Sequence, residues 1–547
     1  MSWRRVVITT AMACLALLLH LFASTTRTVE LEAVGPLTLF RDLGRGFYPG
    51  DAVSLDGPGP FIVRVPISTR ALKVEPSASV RAIRVDGEEL APAGYLIPPR
   101  PPSFAMLTFV AVIAIAVALL LGTWLSRRPA ITDERLFTRA GFVVSAAWWG
   151  FSIVALERTA EFVDAWVVRF DNPPWWPISI VDPARPGWNA LIAAAVLVAI
   201  VAWASQRFVE RPIALAAVLS LAALGSNSLH GWKQAVETPS SGPQSYWLDV
   251  SPNESAGEFL VHFNERQRTL HTHSRTHPPL AVLIYAPFVR LGSAALASFF
   301  LAALAFLGSL WSLSRLHRPL MPLFVALPAV QIYFLASLDA VICAAFFVTI
   351  TLATSEHART RWWSALPLFI ATQLTFGALF LVVLLAWQAI TKWSRELFGA
   401  LAIVALAIVA LRPLFGFDWW EAFRVASVLE NPDGFRLLSE PVGYLFTRLE
   451  GVMEFVLFLG PLLTALVVLA LKDDRLRTWG SRGLVVLAAM LVAGAFKTGE
   501  TARACLFALP CVVALVAPHL TAVRTRVLVI AGFAQATFMQ LIGDFFW

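Results

Sequence analysis

LHTHSRTHPPL, residues 270–280, places three of the chain's nine histidines, one arginine and a double proline at the start of a long apolar run. Reading outward from that junction settles the class of the protein. Of the 547 residues, 58% are apolar and only 14% are charged, against roughly 45–50% and about 25% in a soluble domain. The apolar residues come in blocks of the length that crosses a hydrocarbon layer about 30 Å thick. The chain is therefore expected to be a polytopic membrane protein. Twenty tryptophans and 39 phenylalanines suit interfacial rings. The net charge of +7 comes from short Lys/Arg clusters between apolar runs, a topology signal that excludes nucleic acid as the expected partner. Cys14, Cys343, Cys505 and Cys511 all lie in apolar runs, with neither zinc spacing nor a disulfide framework.

Upstream of the junction the chain divides into three regions. Residues 1–24, with Arg4 and Arg5 before the run Val6 to Ala23, read as an N-terminal membrane anchor. Residues 25–100 alternate polar and apolar in FIVRVPI, ALKVE and RAIRVDGEEL between YPGD and DGPGP turns. That pattern predicts a small extracytoplasmic β domain, with a structural or docking role expected. Residues 101–204 read as accessory transmembrane helices.

The apolar runs predict spans at 104–125, 140–157, 188–204, 213–229, 280–312, 319–335, 338–355, 362–391, 398–415, 453–471, 482–496, 502–517 and 527–547. Two are too long for one straight crossing. The 362–391 run divides into two short helices, and 280–312 is expected to be bent or broken. One topology of about fourteen crossings puts every basic cluster in the cytoplasm, including 357–361, 392–395, 472–477 and 524–526. Segments 157–187, 230–279, 416–450 and 497–501 then lie outside. No internal repeat of the kind transporters carry is visible.

Segment 230–279 holds the most chemistry. GEFLVHFNERQRTL sets Phe259, Phe263 and Leu270 at helical spacing among charges, predicting an amphipathic helix at the membrane interface. It delivers the histidines to the next span, which Pro278-Pro279 can open because proline is tolerated in a first turn. The set His271, His273 and His277 with Asp249 or Glu254 could hold a divalent cation. Spacing of two and then four residues is weakly specific, however, and no HExxH pattern is present, so no metal site is assigned.

At this point the sequence resembles a family. Tyr246-Trp247-Leu248-Asp249 in a long loop, interfacial helices, and then His277-Pro278-Pro279-Leu280 opening a membrane helix look like the first catalytic loop of GT-C integral-membrane glycosyltransferases. The nearest resemblance is to bacterial relatives of protein mannosyltransferases and lipid A aminoarabinose transferases. Ser337-Leu338-Asp339 resembles a second acidic position of that family, and Lys497-Thr498-Gly499-Glu500-Thr501-Ala502-Arg503 resembles a late Gly-Glu-x-x-Arg turn. The resemblance covers roughly residues 205–547. Its loop usually opens with an acidic pair, whereas Asp249 here stands beside valine.

The resemblance implies an all-α GT-C-like catalytic domain over 205–547 in a cell membrane, the bacterial inner membrane, with its site on the extracytoplasmic face. It implies a polyprenyl-phosphate-linked sugar donor and a glycan, lipid or protein acceptor in the cell envelope; among its members some use a divalent cation. The chemistry asks for a carboxylate to take the acceptor's proton, cations to meet the growing charge on the departing phosphate, and a greasy groove. Asp249, His277 and Asp339 are the expected catalytic groups, and Arg275, Lys497 and Arg503 the phosphate-binding ones. His271, His273, Glu254 and Glu500 are expected in support. A transporter or lipid flippase is the alternative, because it too needs intramembrane charge. A non-catalytic assembly or sensor protein would not need acids and bases converging on one face.

Overall fold

In this computed structural model the described residues are most of 26–89, 182–183 and most of 186–545. The expected anchor, the spans at 104–125 and 140–157, and Lys497 lie outside them. The chain forms two compact units, residues 1–137 with 150–180, and 138–149 with 181–547.

The first unit contains the β domain. Strands β1 (Thr26–Ala33), β4 (Gly59–Pro66), β6 (Val80–Val85) and β7 (Glu88–Glu89) form one sheet in the order β4-β1-β6-β7. Strands β2 (Leu37–Asp42), β3 (Phe47–Leu55) and β5 (Ala71–Glu75) form another in the order β3-β2-β5, and the pairings are antiparallel. Alternation decides which face is buried. In β1, Val29, Leu31 and Ala33 point inward, and they share one core with Leu39, Val65, Leu72, Val74 and Ile83 from both sheets. The expected β domain is present, its described strands running over 26–89.

The second unit is helical. Among the described residues four segments are long and apolar enough to cross a membrane: Trp188–Phe208 (α1), Pro212–His230, whose α-helical part is Pro212–Asn227 (α2), Ala294–Leu316 and Arg395–Phe415. Their apolar side chains face outward. Trp188 is 81% exposed, and Leu406 and Leu414 70% each. Greasy surface on this scale requires an apolar surround, which agrees with a membrane protein.

The other apolar runs fold as shorter pieces, and the breaks have local causes. The amphipathic helix forms as predicted, as α3 (Ala256–Arg266), capped by Ser255 and Glu258 reciprocally and burying Phe259 and Phe263. The run 280–312 is broken into α4 (Leu280–Leu283), α5 (Ala286–Arg290) and α6 (Ala294–Leu316). Pro287 opens α5, and Gly292 at φ 66° ends it. The expected span 319–335 is two helices, α7 (Leu320–Ala326) and α8 (Pro328–Tyr333), split where Leu327 is extended ahead of proline. Next comes α9 (Leu338–Ala353), which is almost wholly buried. The run 362–391 does divide, into α10 (Ala365–Leu374) and α11 (Leu379–Lys392), followed by α12 (Arg395–Phe415) and α13 (Trp419–Glu430).

The expected span 453–471 is displaced. Gly460 at φ 81° and Pro461 separate α14 (Pro441–Leu459) from α15 (Pro461–Asp474). The chain ends with α16 (Trp479–Val492), α17 (Thr501–Ala504), α18 (Leu509–Val516) and α19 (Ala522–Ile542).

Tertiary contacts join connections far apart in the chain. Arg361 pairs with Glu396 at 3.6 Å, and Arg482 donates to Gln388 and Thr391 at 2.7 and 2.8 Å. These contacts gather segments expected in the cytoplasm. Elsewhere Asn264 and Asp418 exchange two hydrogen bonds of 2.9 Å, and His230 meets the Gln540 carbonyl at 2.6 Å. Strand β8 (Asp182–Pro183) pairs with β9 (Gly543–Asp544). Asn264, Asp418, His230 and Asp182 lie in segments expected outside, whereas Gln540, Gly543 and Asp544 fall within the expected span 527–547. Cysteines placed at exposed Ser251 and at Trp393, which is 82% exposed, should therefore react differently with an impermeant thiol reagent on intact cells. Ser251→Cys should be labelled and Trp393→Cys protected; labelling of Trp393→Cys alone would invert the topology.

Candidate active site

A cavity of about 400 Å³ lies where several of these helices begin or break. Its polar wall is built from starts of helices. Ser337 caps α9, its hydroxyl accepting the Asp339 amide at 3.0 Å, and so presents Asp339 in the first turn. Glu454, which is 1% exposed, accepts the Thr501 amide at 2.8 Å and fixes the start of α17. Glu500 and Arg503 flank that start.

The Arg503 side chain, 13% exposed, reaches Glu500 at 3.0 Å and Asp339 at 3.6 Å. Among the described residues it is the one arginine or lysine lining the cavity, beside the carboxylates of Asp339, Glu430 and Glu500. A buried guanidinium held between carboxylates keeps its planar fork oriented. It also carries full charge in a place where water screens it little.

The second wall comes from the loop the sequence singled out. Tyr246 stacks on Tyr285 with centroids 5.9 Å apart, and meets the rings of His277 at 5.4 Å and His273 at 6.0 Å. Burial, and after it the nearby Asp339 carboxylate, push the Tyr246 phenol well above its ordinary range, so it stays a hydrogen-bond donor. His277 Nδ1 lies 2.9 Å from the Leu374 carbonyl, at the end of α10. A carbonyl can only accept, so Nδ1 carries the proton and Nε2 is the nitrogen left to the cavity. Phe376, Gly377, Leu379, Phe423 and Phe507 make the apolar side.

The structure thus brings together Asp339, His277, His273, Glu500 and Arg503. It leaves others out. Asp249 does not line the cavity. It accepts the His271 backbone amide at 3.1 Å and His271 Nδ1 at 2.9 Å, so both side chains are used as a staple across the loop. Glu254 pairs with Arg266, and its backbone carbonyl accepts from Arg290, so it anchors the loop.

Arg275 sits on a short turn, Ser274–Thr276, outside the cavity lining. Its carbonyl accepts from Gln267, and its Nε is buried with no hydrogen-bond partner. The imidazoles do not converge either, and among the described residues no group of three metal-ligating side chains occurs.

The residues that sequence reading missed as part of the site are Tyr285, Glu430 and Thr375–Gly377, while Tyr246 was seen only as a neighbour of Asp249. One signal was available. The chain has six tyrosines against 39 phenylalanines, so each hydroxyl-bearing ring in an apolar run was a candidate for polar work. No family model matches this chain, and neither a curated protein nor a solved structure does.

Proposed function

We propose that this chain is a membrane-embedded glycosyltransferase that moves a sugar from a polyprenyl-phosphate donor to an acceptor hydroxyl at the extracytoplasmic face, on a GT-C-like helical domain of about fourteen crossings. The observation that carries the reading is the placement of Arg503 between Asp339 and Glu500, next to aromatic walls, inside a cavity lined by loops and short apolar helices.

Arg503 offers the departing phosphate two parallel donors as its charge grows. Asp339 and Glu500 orient that fork, and Asp339 also opposes the positive charge that gathers on the anomeric carbon in an oxocarbenium-like transition state. Tyr246 and Tyr285 supply ring faces and hydroxyls for a sugar. Phe376, Phe423 and Phe507 supply apolar surface for the isoprenoid. A transporter reading fits less well, because the sequence shows no internal repeat of the kind transporters carry.

The test is direct. Protein in lipid nanodiscs, given polyprenyl-phosphate-linked hexoses and pentoses together with an envelope lipid and glycan extract, should release free polyprenyl phosphate and label the acceptor fraction. Saturable counter-flow of a solute across proteoliposomes, with no donor cleavage, would replace the enzyme by a transporter.

A further inference from the structure

We infer that His277 Nε2 is the base that takes the proton from the acceptor hydroxyl, with the Leu374 carbonyl as the fixed partner that sets its tautomer. The inference rests on the lipid-phosphate reading above and assigns within it a step that the carboxylates were expected to perform.

Three observations converge. First, each loop or helix-start carboxylate considered for this role is already engaged. Asp249 is stapled to His271 away from the cavity, while Asp339 and Glu500 both face the Arg503 guanidinium. Second, His277 lines the cavity with a defined hydrogen-bond direction. Its Nδ1 donates to Leu374 O at 2.9 Å, which leaves the lone pair on Nε2.

Third, the acceptor of that bond is a helix-end carbonyl. Leu374 closes α10 just before the extended Thr375, and the negative end of a helix dipole favours a positive charge on the imidazole. The break in the 362–391 run, which looks like a packing defect in an apolar sequence, therefore has a use. It turns a backbone carbonyl toward the ring and stabilises the imidazolium formed when the proton arrives.

The step balances without a co-reactant. The acceptor oxygen forms a bond to the anomeric carbon, and the bond from that carbon to the phosphate oxygen breaks. The electron pair leaves on the phosphate beside Arg503, and the hydroxyl proton passes to His277 Nε2. Water or the departing phosphate then removes that proton. The titratable and charged groups facing the same cavity are Tyr246, His273, Tyr285, Asp339, Glu430 and Glu500 with Arg503, so each is a competing source of any pH dependence.

A polyprenyl methyl phosphate diester, whose single negative charge does not titrate near neutrality, separates them. Its binding to the full-length protein in nanodiscs is measured by calorimetry from about pH 5.5 to 8.5, across the ordinary imidazole range. An anion beside an imidazole favours the protonated ring, so affinity should rise about tenfold as pH falls, one pH unit of linkage. That rise should vanish in His277→Gln and persist in His273→Gln and Asp339→Asn. Nitrogen NMR of histidine-labelled protein gives a check that needs no variant: above its titration one imidazole should show Nδ1 protonated and Nε2 bare, and that resonance should shift with the diester.

A pH dependence that survives His277→Gln, or disappears only in Asp339→Asn, would overturn the assignment in favour of another group. A resonance in the opposite tautomer would do the same. Failure of the wild-type protein to bind the diester at any pH is a different result, for it removes the lipid-phosphate reading and this inference with it.

Discussion

Arg503→Ala should weaken binding of polyprenyl phosphate by about a hundredfold and slow transfer by a further two to three orders of magnitude, on the order of what one lost transition-state donor costs. The size follows from two contributions: a charged hydrogen bond contributes about 1.5–3 kcal/mol, and a lost transition-state donor costs about 3–4 kcal/mol. Because Arg503 is also the counter-charge for Asp339 and Glu500, its removal leaves two carboxylates facing each other with little water. Breaking such a pair can itself cost about 3–5 kcal/mol of stability.

The binding and folding effects separate in the double variant Arg503→Ala with Asp339→Asn. Its melting temperature should recover toward wild type while lipid-phosphate binding stays lost. Arg503→Lys keeps the charge but not the fork and should fall between. Undiminished binding of polyprenyl phosphate by well-folded Arg503→Ala would end the assignment of this arginine to the phosphate.

The second large effect is structural. In α16, Gly483 faces Cys511 of α18 so closely that an added Cβ would stand 2.2 Å from the cysteine sulfur, and one at Gly480 would meet the Cys511 carbonyl at 2.8 Å. Two opposing terms act on Gly483→Ala. Helix propensity favours alanine by about 1 kcal/mol, whereas overpacking a filled contact costs about 1–3 kcal/mol and sometimes more. At 2.2 Å the overlap wins, since buried Cys511 is fixed on its own helix.

The variant should melt several degrees below wild type in detergent, with a net loss of about 2 kcal/mol. In a Cys511→Ala background the same glycine substitution should cost less, because the sulfur is gone and only the Cβ at 511, 3.0 Å from the added one, still has to give way. A higher melting temperature for the single variant would show that α16 and α18 are not in this contact.

Much of the fold was legible from residues alone. Apolar blocks foretold the membrane class, two-residue alternation foretold β4 to β6, and the helical spacing of Phe259 and Phe263 foretold α3. The splitting of 362–391 was also foretold, from length. Boundaries set by single residues were not. The expected span at 453–471 ignored Gly460, whose positive φ and following proline start a new helix, and 319–335 ignored Pro328. Hydropathy averages over a window and so passes across such breaks.

The candidate site was legible in its parts and not in its assembly. Asp339 was singled out by its apolar surroundings, where a charge is costly and seldom idle, and His277, His273, Glu500 and Arg503 by their place in the polar loop and the late turn that carry the resemblance. Asp249 and Glu254 were singled out in the same loop but use their carboxylates to hold it.

What the sequence by itself determined is everything that neighbouring residues enforce on one another: solvent class, strand and helix periodicity, caps and prolines. Only the tertiary structure decided which acid meets Arg503, which nitrogen of His277 faces the cavity, and that Tyr246 stacks on Tyr285. Those are distances between segments far apart in the chain, set by how α9, α10 and α17 pack. No local pattern encodes them, because the energy that selects them belongs to the packed helices together.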